Sequence, residues 1–168
     1  DRSSLYDSEF SPKAGLVFSP SVNHSFRATY NKAFQSGNYS EYFLRVGAGS
    51  APLPAPLSQL LGPSLPIYAR GNEDLETETV TGYEVGYKGI IANKLFVTID
   101  AYRNDLENFI TDLLQGVNPD YPFTVPANVP AQFVPSIRAA LPGLNIINGA
   151  PGIVISYTNA GKVEEQGL

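Results

Sequence analysis

The sequence predicts an all-β chain: antiparallel strands in up-and-down order, about five of them, with the pattern of an incomplete transmembrane β-barrel. Three observations carry this. Four segments alternate apolar and polar residues with a period of two. They are joined in pairs by tight turns: Pro20, Ser21, Val22 and Asn23 between 13–19 and 24–34, then Ile91, Ala92, Asn93 and Lys94 between 79–90 and 95–104. Two Pro-, Gly- and Ser-rich stretches, 35–77 and 112–152, separate and follow the hairpins, each roughly 40 residues long. Structureless loops of that length are uncommon in compact soluble domains. Outer-membrane barrels combine short turns on one side with long loops on the other.

In 13–19, Ala14, Leu16 and Phe18 share one face, and Lys13, Gly15 and Ser19 share the other with Val17. In 24–34, Phe26, Ala28 and Tyr30 oppose Ser25, Arg27, Thr29 and Asn31. A helix would scatter Arg27 and Asn31 among the apolar positions. In 79–90, Tyr83, Val85 and Tyr87 lie opposite Gly82, Glu84, Gly86 and Lys88. In 95–104, Leu95, Val97, Ile99 and Ala101 oppose Thr98, Asp100, Tyr102 and Asn104, with Phe96 an exception on the polar side. A fifth strand is expected over 153–168, although its later half does not assign its faces cleanly. The long stretches hold a possible helical turn at Leu57–Leu61 and one short helix near Pro130–Leu141. That helix would turn Phe133, Ile137, Ala140 and Leu141 to one face and hold Pro135 in its first turn.

Bulk composition excludes several classes. The 168 residues carry a net charge of −5, which argues against a broad nucleic-acid surface. Charged residues make up 16% of the chain, against ~25% in ordinary soluble domains. There is no Cys, hence no disulfide framework, thiolate nucleophile or Cys-based metal site. No apolar run is long enough for a transmembrane helix, which says nothing against spanning strands. Asp1-Arg2-Ser3-Ser4 does not read as a signal peptide, so the chain is expected to be a processed or, preferably, an excised piece of something longer.

Two architectures compete for the apolar faces. In a β-sandwich, such as a secreted or periplasmic binding module for glycans, they meet across a core. In a barrel they face lipid, where a Lys or Arg at mid-bilayer costs ~2–4 kcal/mol. Both exclude charge from the apolar faces, which are free of it across Phe26–Tyr30, Tyr83–Tyr87 and Leu95–Ala101. The opposite faces, built of Gly, Ser, Thr and Asn with the isolated charges Arg27, Glu84, Lys88 and Asp100, fit a barrel interior better than a solvated sheet. Sheet shape discriminates: a barrel piece leaves Phe26, Tyr83, Val85, Leu95, Val97 and Ile99 uncovered, whereas a sandwich buries them.

Several stretches resemble the C-terminal half of TonB-dependent outer-membrane receptors. Phe10-Ser11-Pro12-Lys13-Ala14-Gly15-Leu16-Val17-Phe18-Ser19-Pro20 with Phe26-Arg27-Ala28-Thr29-Tyr30-Asn31-Lys32-Ala33-Phe34 is similar to a hairpin of that barrel. Asn72-Glu73-Asp74-Leu75-Glu76-Thr77-Glu78 and Gly82-Tyr83-Glu84-Val85-Gly86-Tyr87-Lys88 look like its acidic loop end leading into a Tyr-Glu-x-Gly-Tyr strand. Phe96–Ile110 is similar to the next strand, and Tyr157-Thr158-Asn159-Ala160-Gly161-Lys162-Val163 to the family's Tyr-x-Asn-x-Gly strand. The resemblance implies a segment of a Gram-negative outer-membrane barrel that imports siderophores, haem, cobalamin or glycans with TonB-derived energy. Its implied partners are outer-membrane lipid, the rest of the barrel and its plug, the TonB system through that plug, and a small organic ligand. No plug, TonB box or aromatic C-terminus is recognisable, so the piece is not expected to transport alone. The short turns would face the periplasm and the long stretches the outside, with residues 1–10 the tail of a preceding outer loop.

Candidate chemistry is sparse. His24, the single histidine, is read as a solvated turn residue. Glu73, Asp74, Glu76 and Glu78 lack the spacing of a calcium loop and read as a solvated loop end. Glu84 and Lys88 are expected to pair with Arg27 or Asp100 in a structural role. No Ser has a triad pattern, and Gly47-Ala48-Gly49-Ser50 falls short of a phosphate loop, so neither catalysis nor a cofactor is expected. The candidates for ligand contact are the aromatics of the long stretches: Tyr39, Tyr42, Phe43, Tyr68, Tyr121, Phe123 and Phe133. Against this stands the reading that they pack on one another to order the loops.

Overall fold

The computed structural model of the chain describes residues 8–168, so most of the expected outer-loop tail, residues 1–7, lies outside the described residues. The elements run β1 (Lys13–Ser21), β2 (His24–Gln35), α1 (Tyr39–Phe43), β3 (Arg45–Pro52), α2 (Leu57–Leu61), β4 (Ser64–Arg70) and β5 (Glu78–Ile91). They continue with β6 (Leu95–Ile110), β7 (Leu114–Gln115), α3 (Val134–Ala140), β8 (Leu144–Ile147), β9 (Ala150–Ser156) and β10 (Asn159–Gly167). The chain divides into two units. One holds the strands of the hairpins and β10; the other is built from 37–75 and 110–159.

The first unit is an open five-stranded sheet in the order β1-β2-β5-β6-β10, with β1 and β10 at its edges. Its registers put like faces together. Phe26 stands opposite Tyr87, which stands opposite Ile99; Ala28, Val85 and Ala101 form the next such row. The apolar face is uncovered: Leu16, Phe26, Tyr83, Val85, Leu95 and Ile99 are exposed, Val85 at 58%, and Val97 is half-buried. A sandwich would have buried them. Aromatic pairs cross the strands on this face, with ring centroids 5.0 Å apart for Phe26–Tyr87 and 5.3 Å for Tyr30–Tyr83. At its lower end the His24 ring lies beside Tyr87 and its Nδ1 is 2.8 Å from the Tyr87 hydroxyl, so this histidine is tied to a strand rather than simply solvated.

Over the rows from Phe26 to Ala28 the charges lie on the opposite face, whereas Arg103, Asp105 and Glu107 share the parity of the apolar one from the Tyr83 row outward. The Arg27 guanidinium donates to Glu84 and, at 3.0 Å, to Asp100 on the next strand. Gly86 stands between Arg27 and Asp100 in register, and a Cβ there would overlap both side chains. Lys88 does not join them. Its ammonium lies 5.3 Å from the Phe96 ring centroid, so a cation sits over an aromatic ring that this face leaves exposed. In the turn between β5 and β6, Ala92 and Asn93 both have left-handed backbones (φ 52° and 57°), the two-residue geometry whose twist matches a hairpin. The Asn23 side chain of the other tight turn donates to Asn93 at 3.3 Å.

Two expectations are corrected by the second unit. The stretches 35–77 and 112–152 are not loops carrying only a helical turn and one helix. They form a sheet in the order β3-β4-β9-β7 with β8 paired to β9, and its β4–β9 pair is parallel, so the chain is not antiparallel throughout. Likewise 153–168 is not one strand. It breaks at Tyr157-Thr158 into β9 of this unit and β10 of the first. The physical reason is visible in burial: Ile153, Val154 and Ser156 are all buried, so β9 has no polar face to alternate with.

The core of this unit gathers Leu61, Leu65, Val129, Ile137, Leu141, Leu144 and Ile153, with Leu144 fully enclosed. The helices are short and lean on local devices. Asn38 caps α1, accepting from the backbone of Ser40 and Glu41, while the Glu41 carboxylate accepts from Asn38 N at 2.7 Å. Pro135 sits in the first turn of α3, as required, after a 3-10 turn at Ala131–Phe133. Of the face assigned to this helix, Ile137 and Leu141 are buried, while Phe133 and Ala140 are exposed.

Gly71 passes so close to the Tyr42 carbonyl that a Cβ would overlap it. Gly71→Ala should therefore cost ~1–3 kcal/mol as overpacking, and Leu144→Ala ~2–5 kcal/mol as a cavity. Denaturant unfolding followed by a probe in 37–75 or 110–159 checks both. Little change for Leu144→Ala would mean that these stretches hold no packed core.

Candidate functional site

The second unit separates the predicted aromatics into three settings. Tyr39 is exposed and packs at a tilt on Phe43, with centroids 4.9 Å apart, and Tyr42 adjoins Phe43 at 6.0 Å but is 2% exposed and part of the core. Phe123 packs partly on the core and supports the Arg138 guanidinium 4.4 Å above its ring, while Phe133 stands exposed nearby in sequence. Tyr68 and Tyr121 converge on one side chain. The Arg70 guanidinium lies 5.1 Å from the Tyr68 centroid and 5.9 Å from that of Tyr121. These three are half-buried, at a depth where a side chain can be both held and reached.

Backbone pairing and buried amides build this third cluster. Tyr68 and Arg70 alternate on β4, which places both side chains on one face. On the neighbouring β9, Gly152 leaves room for the Tyr68 ring; a Cβ there would come within 2.8 Å of the ring's Cε2. Ser156 stands opposite Arg70, and its buried hydroxyl donates to the Arg70 carbonyl at 2.8 Å. Asn118 ties in the third partner. Its amide donates to Ser156 Oγ at 2.9 Å and to the Gly71 carbonyl at 2.7 Å, and its side-chain oxygen accepts from Asp120 N at 2.9 Å. Tyr121 follows directly, its own N–H donating to the Asn118 carbonyl at 3.2 Å. Asn118 therefore connects the turn that carries Tyr121 to the strand that carries Arg70.

The sequence reading chose the tyrosines but passed over Arg70, Asn118 and Ser156. One signal was available: Asn118-Pro119-Asp120-Tyr121 is an Asx-turn sequence that ends in an aromatic. Nothing in the linear sequence placed that turn beside β4. The acidic stretch is dispersed rather than clustered. Glu73 reaches Arg45 at 3.7 Å, Glu76 accepts from Asn108 at 2.8 Å, and Asp74 N donates to the Asn72 side chain at 3.0 Å. Among the described residues no group of three or more His, Cys, Asp or Glu side chains is placed to hold a metal ion.

An open antiparallel sheet, apolar and uncovered on one face and ion-paired on the other, with both tight turns at one end of its strands, is a segment of barrel wall. A family model described as "TonB dependent receptor-like, beta-barrel" matches residues 1–168. The chain belongs to this family, one of Gram-negative outer-membrane transporters and not of enzymes. Among solved structures, the siderophore receptor PirA from Pseudomonas aeruginosa is similar with a TM-score of 0.55 and 18% identity, over 98% of this chain and 24% of its own. A mutant of the ferric enterobactin receptor PfeA from Pseudomonas aeruginosa, in complex with enterobactin, gives 0.58 and 18% over 98% and 20%. PirA from Acinetobacter baumannii gives 0.56 and 17% over 98% and 20%. The chain thus spans about a fifth to a quarter of these receptors. At such identities the likeness shows the fold alone. No curated protein matches.

Asn118→Ala should cost ~1–3 kcal/mol, because it removes the donor to the Gly71 carbonyl and to the buried Ser156 oxygen, which keeps only its own bond to the Arg70 carbonyl. It should also broaden or shift the Tyr121 ring signals in NMR while leaving those of Tyr83 in place. Unchanged stability and unchanged Tyr121 signals would show that the amide does not hold the cluster.

Proposed function

We propose that this chain is barrel wall and outer loops of a receptor that imports a scarce nutrient with TonB-derived energy. The cargo is of the siderophore, haem, cobalamin or glycan class. The observation that carries the reading is the family match over the whole chain, together with a sheet whose exposed apolar face suits lipid. That the similar structures include siderophore receptors favours the first cargo class. Lipid, the remaining barrel strands, a plug and the TonB system are the partners this role requires.

The orientation follows from the lengths of the connections. The turns at Ser21–Asn23 and Ala92–Lys94 face the periplasm, and 35–77 and 112–152 face outward, where the loop unit contributes to ligand capture. Lys32 and Arg103 share parity with the lipid face: Arg103 stands in the Tyr30–Tyr83 row, opposite Tyr83, and Lys32 one row beyond it, toward the end where the long connections leave. There, charged heads can reach the interface.

Two measurements test this. A peptide tag inserted at Ala92–Lys94 should be inaccessible to antibody on intact cells and accessible after permeabilisation; labelling of intact cells would reverse the orientation. Deletion of Gln115–Gly149 in the receptor should abolish cargo uptake while barrel insertion persists. Unchanged uptake would leave that stretch a structural cover only.

A further inference from the structure

We propose that Arg70, with Tyr68 and Tyr121, forms a binding site for a planar aromatic anion, such as a phenolate or an aromatic carboxylate. This rests on the ligand-capture reading of the loop unit and gives it a chemistry. The first argument is charge. Arg27, Arg45 and Arg103 each reach a carboxylate, whereas Arg70 forms no ion pair among the described residues. Its Nη1 donates to two carbonyls, Val46 O at 3.4 Å and Ala69 O at 3.2 Å. A guanidinium carries five N–H donors, so most of its donating capacity is still available to a ligand. A half-buried cation without a counter-charge is costly to keep. The register adds to that cost, because Arg45 stands directly opposite Arg70 on β3. Arg45 already leans on Glu73. The uncompensated charge of the pair sits on Arg70, and an anion is what it lacks.

The second argument is shape. Two aromatic rings lie on one guanidinium, and a planar guanidinium accepts further planar groups by stacking as well as by paired hydrogen bonds. Among the described residues, Arg138 has one ring, Phe123, beneath it. A ligand with charge but no ring would leave the tyrosine faces unused, and a neutral ring would leave the cation unpaired.

The third argument is rigidity. Each member is held by something other than the ligand: Tyr68 over Gly152, the Arg70 backbone by Ser156, and the Tyr121 turn by Asn118. Little ordering is left for binding to impose.

Saturation-transfer NMR on the receptor in detergent micelles tests this with three probes. They are benzoate, benzyl alcohol as ring without charge, and cyclohexanecarboxylate as charge without aromatic ring. Benzoate should bind in preference to both controls. Arg70→Gln should weaken it about tenfold or more, and Arg70→Lys, which keeps the charge but not the plane, by an intermediate factor. Tyr121→Leu should weaken benzoate several-fold with circular dichroism unchanged, and it carries the test if the Arg70 variants fail to fold. Equal binding of cyclohexanecarboxylate, or unchanged benzoate binding in Arg70→Lys and Tyr121→Leu, would overturn the assignment. If deleting 115–149 abolishes uptake while Arg70→Gln leaves benzoate binding intact, the aromatic-anion site is wrong and ligand capture stands. If the deletion leaves uptake intact, ligand capture itself fails.

Discussion

The barrel-wall unit depends on strand register. Row by row across β2, β5 and β6, Phe26, Tyr87 and Ile99 alternate with Arg27, Gly86 and Asp100. A slip of one residue in any strand would carry an Arg or a carboxylate onto the apolar face and an aromatic onto the polar one. In lipid, such a charge costs ~2–4 kcal/mol at mid-depth, more than an exposed ion pair returns at ~0–1 kcal/mol. The Arg27–Glu84 and Arg27–Asp100 pairs therefore matter less for the energy they supply than for the register they mark. Gly86 is part of the same device, since only a residue without a Cβ lets Arg27 and Asp100 close over it. From the Tyr83 row outward, side-chain pairs also link β10 to β6. Lys162 meets Glu107, and Arg103 meets Glu164 at 3.1 Å, so the two strands run in opposite directions.

The loop unit solves a different problem. Its two stretches are rich in Pro and Gly, and its strands are only 2–8 residues long. No single strand of that length secures a core. Stability comes instead from bringing β4 and β9, distant in sequence, into a parallel pair and packing α2 and α3 against them. Buried amides then satisfy the backbone where regular pairing stops: Asn72 donates to the Tyr157 carbonyl at 3.1 Å, and Asn145 to that of Pro122 at 2.6 Å. A unit held this way presents its exposed side chains from a fixed frame.

This contrast explains what could be read from the sequence. The strands of the sheet were legible because each has two unlike faces, so Phe26 against Arg27 or Val85 against Glu84 declares the period of two. Phe96 breaks the pattern, and the cation that lies over its ring, Lys88, comes from the neighbouring strand. The loop sheet was not legible. β9 is buried on both faces and shows an unbroken apolar run, and β3 and β4 contain prolines. The partner of β4 lies more than eighty residues away (Ile67 faces Ile153). The helix near Pro130–Leu141 was read correctly because Pro135 and the Ile137–Leu141 spacing are local signals. The Arg70 cluster was half visible: its tyrosines stood out as loop aromatics, but Arg70 gained meaning only once Asn118 and Ser156 joined the two stretches.

The central claim is that the apolar face of the first sheet meets lipid and the charged face does not. Spin labels at Val85→Cys and Thr98→Cys, in the receptor reconstituted into vesicles, test it directly. The label at 85 should relax faster with dissolved oxygen than with a water-soluble nickel chelate, and the label at 98 should show no such preference for oxygen. Chelate accessibility at 85 equal to that at 98, or protection of 85 from both reagents, would mean that the face is solvated or covered by protein and would contradict the account.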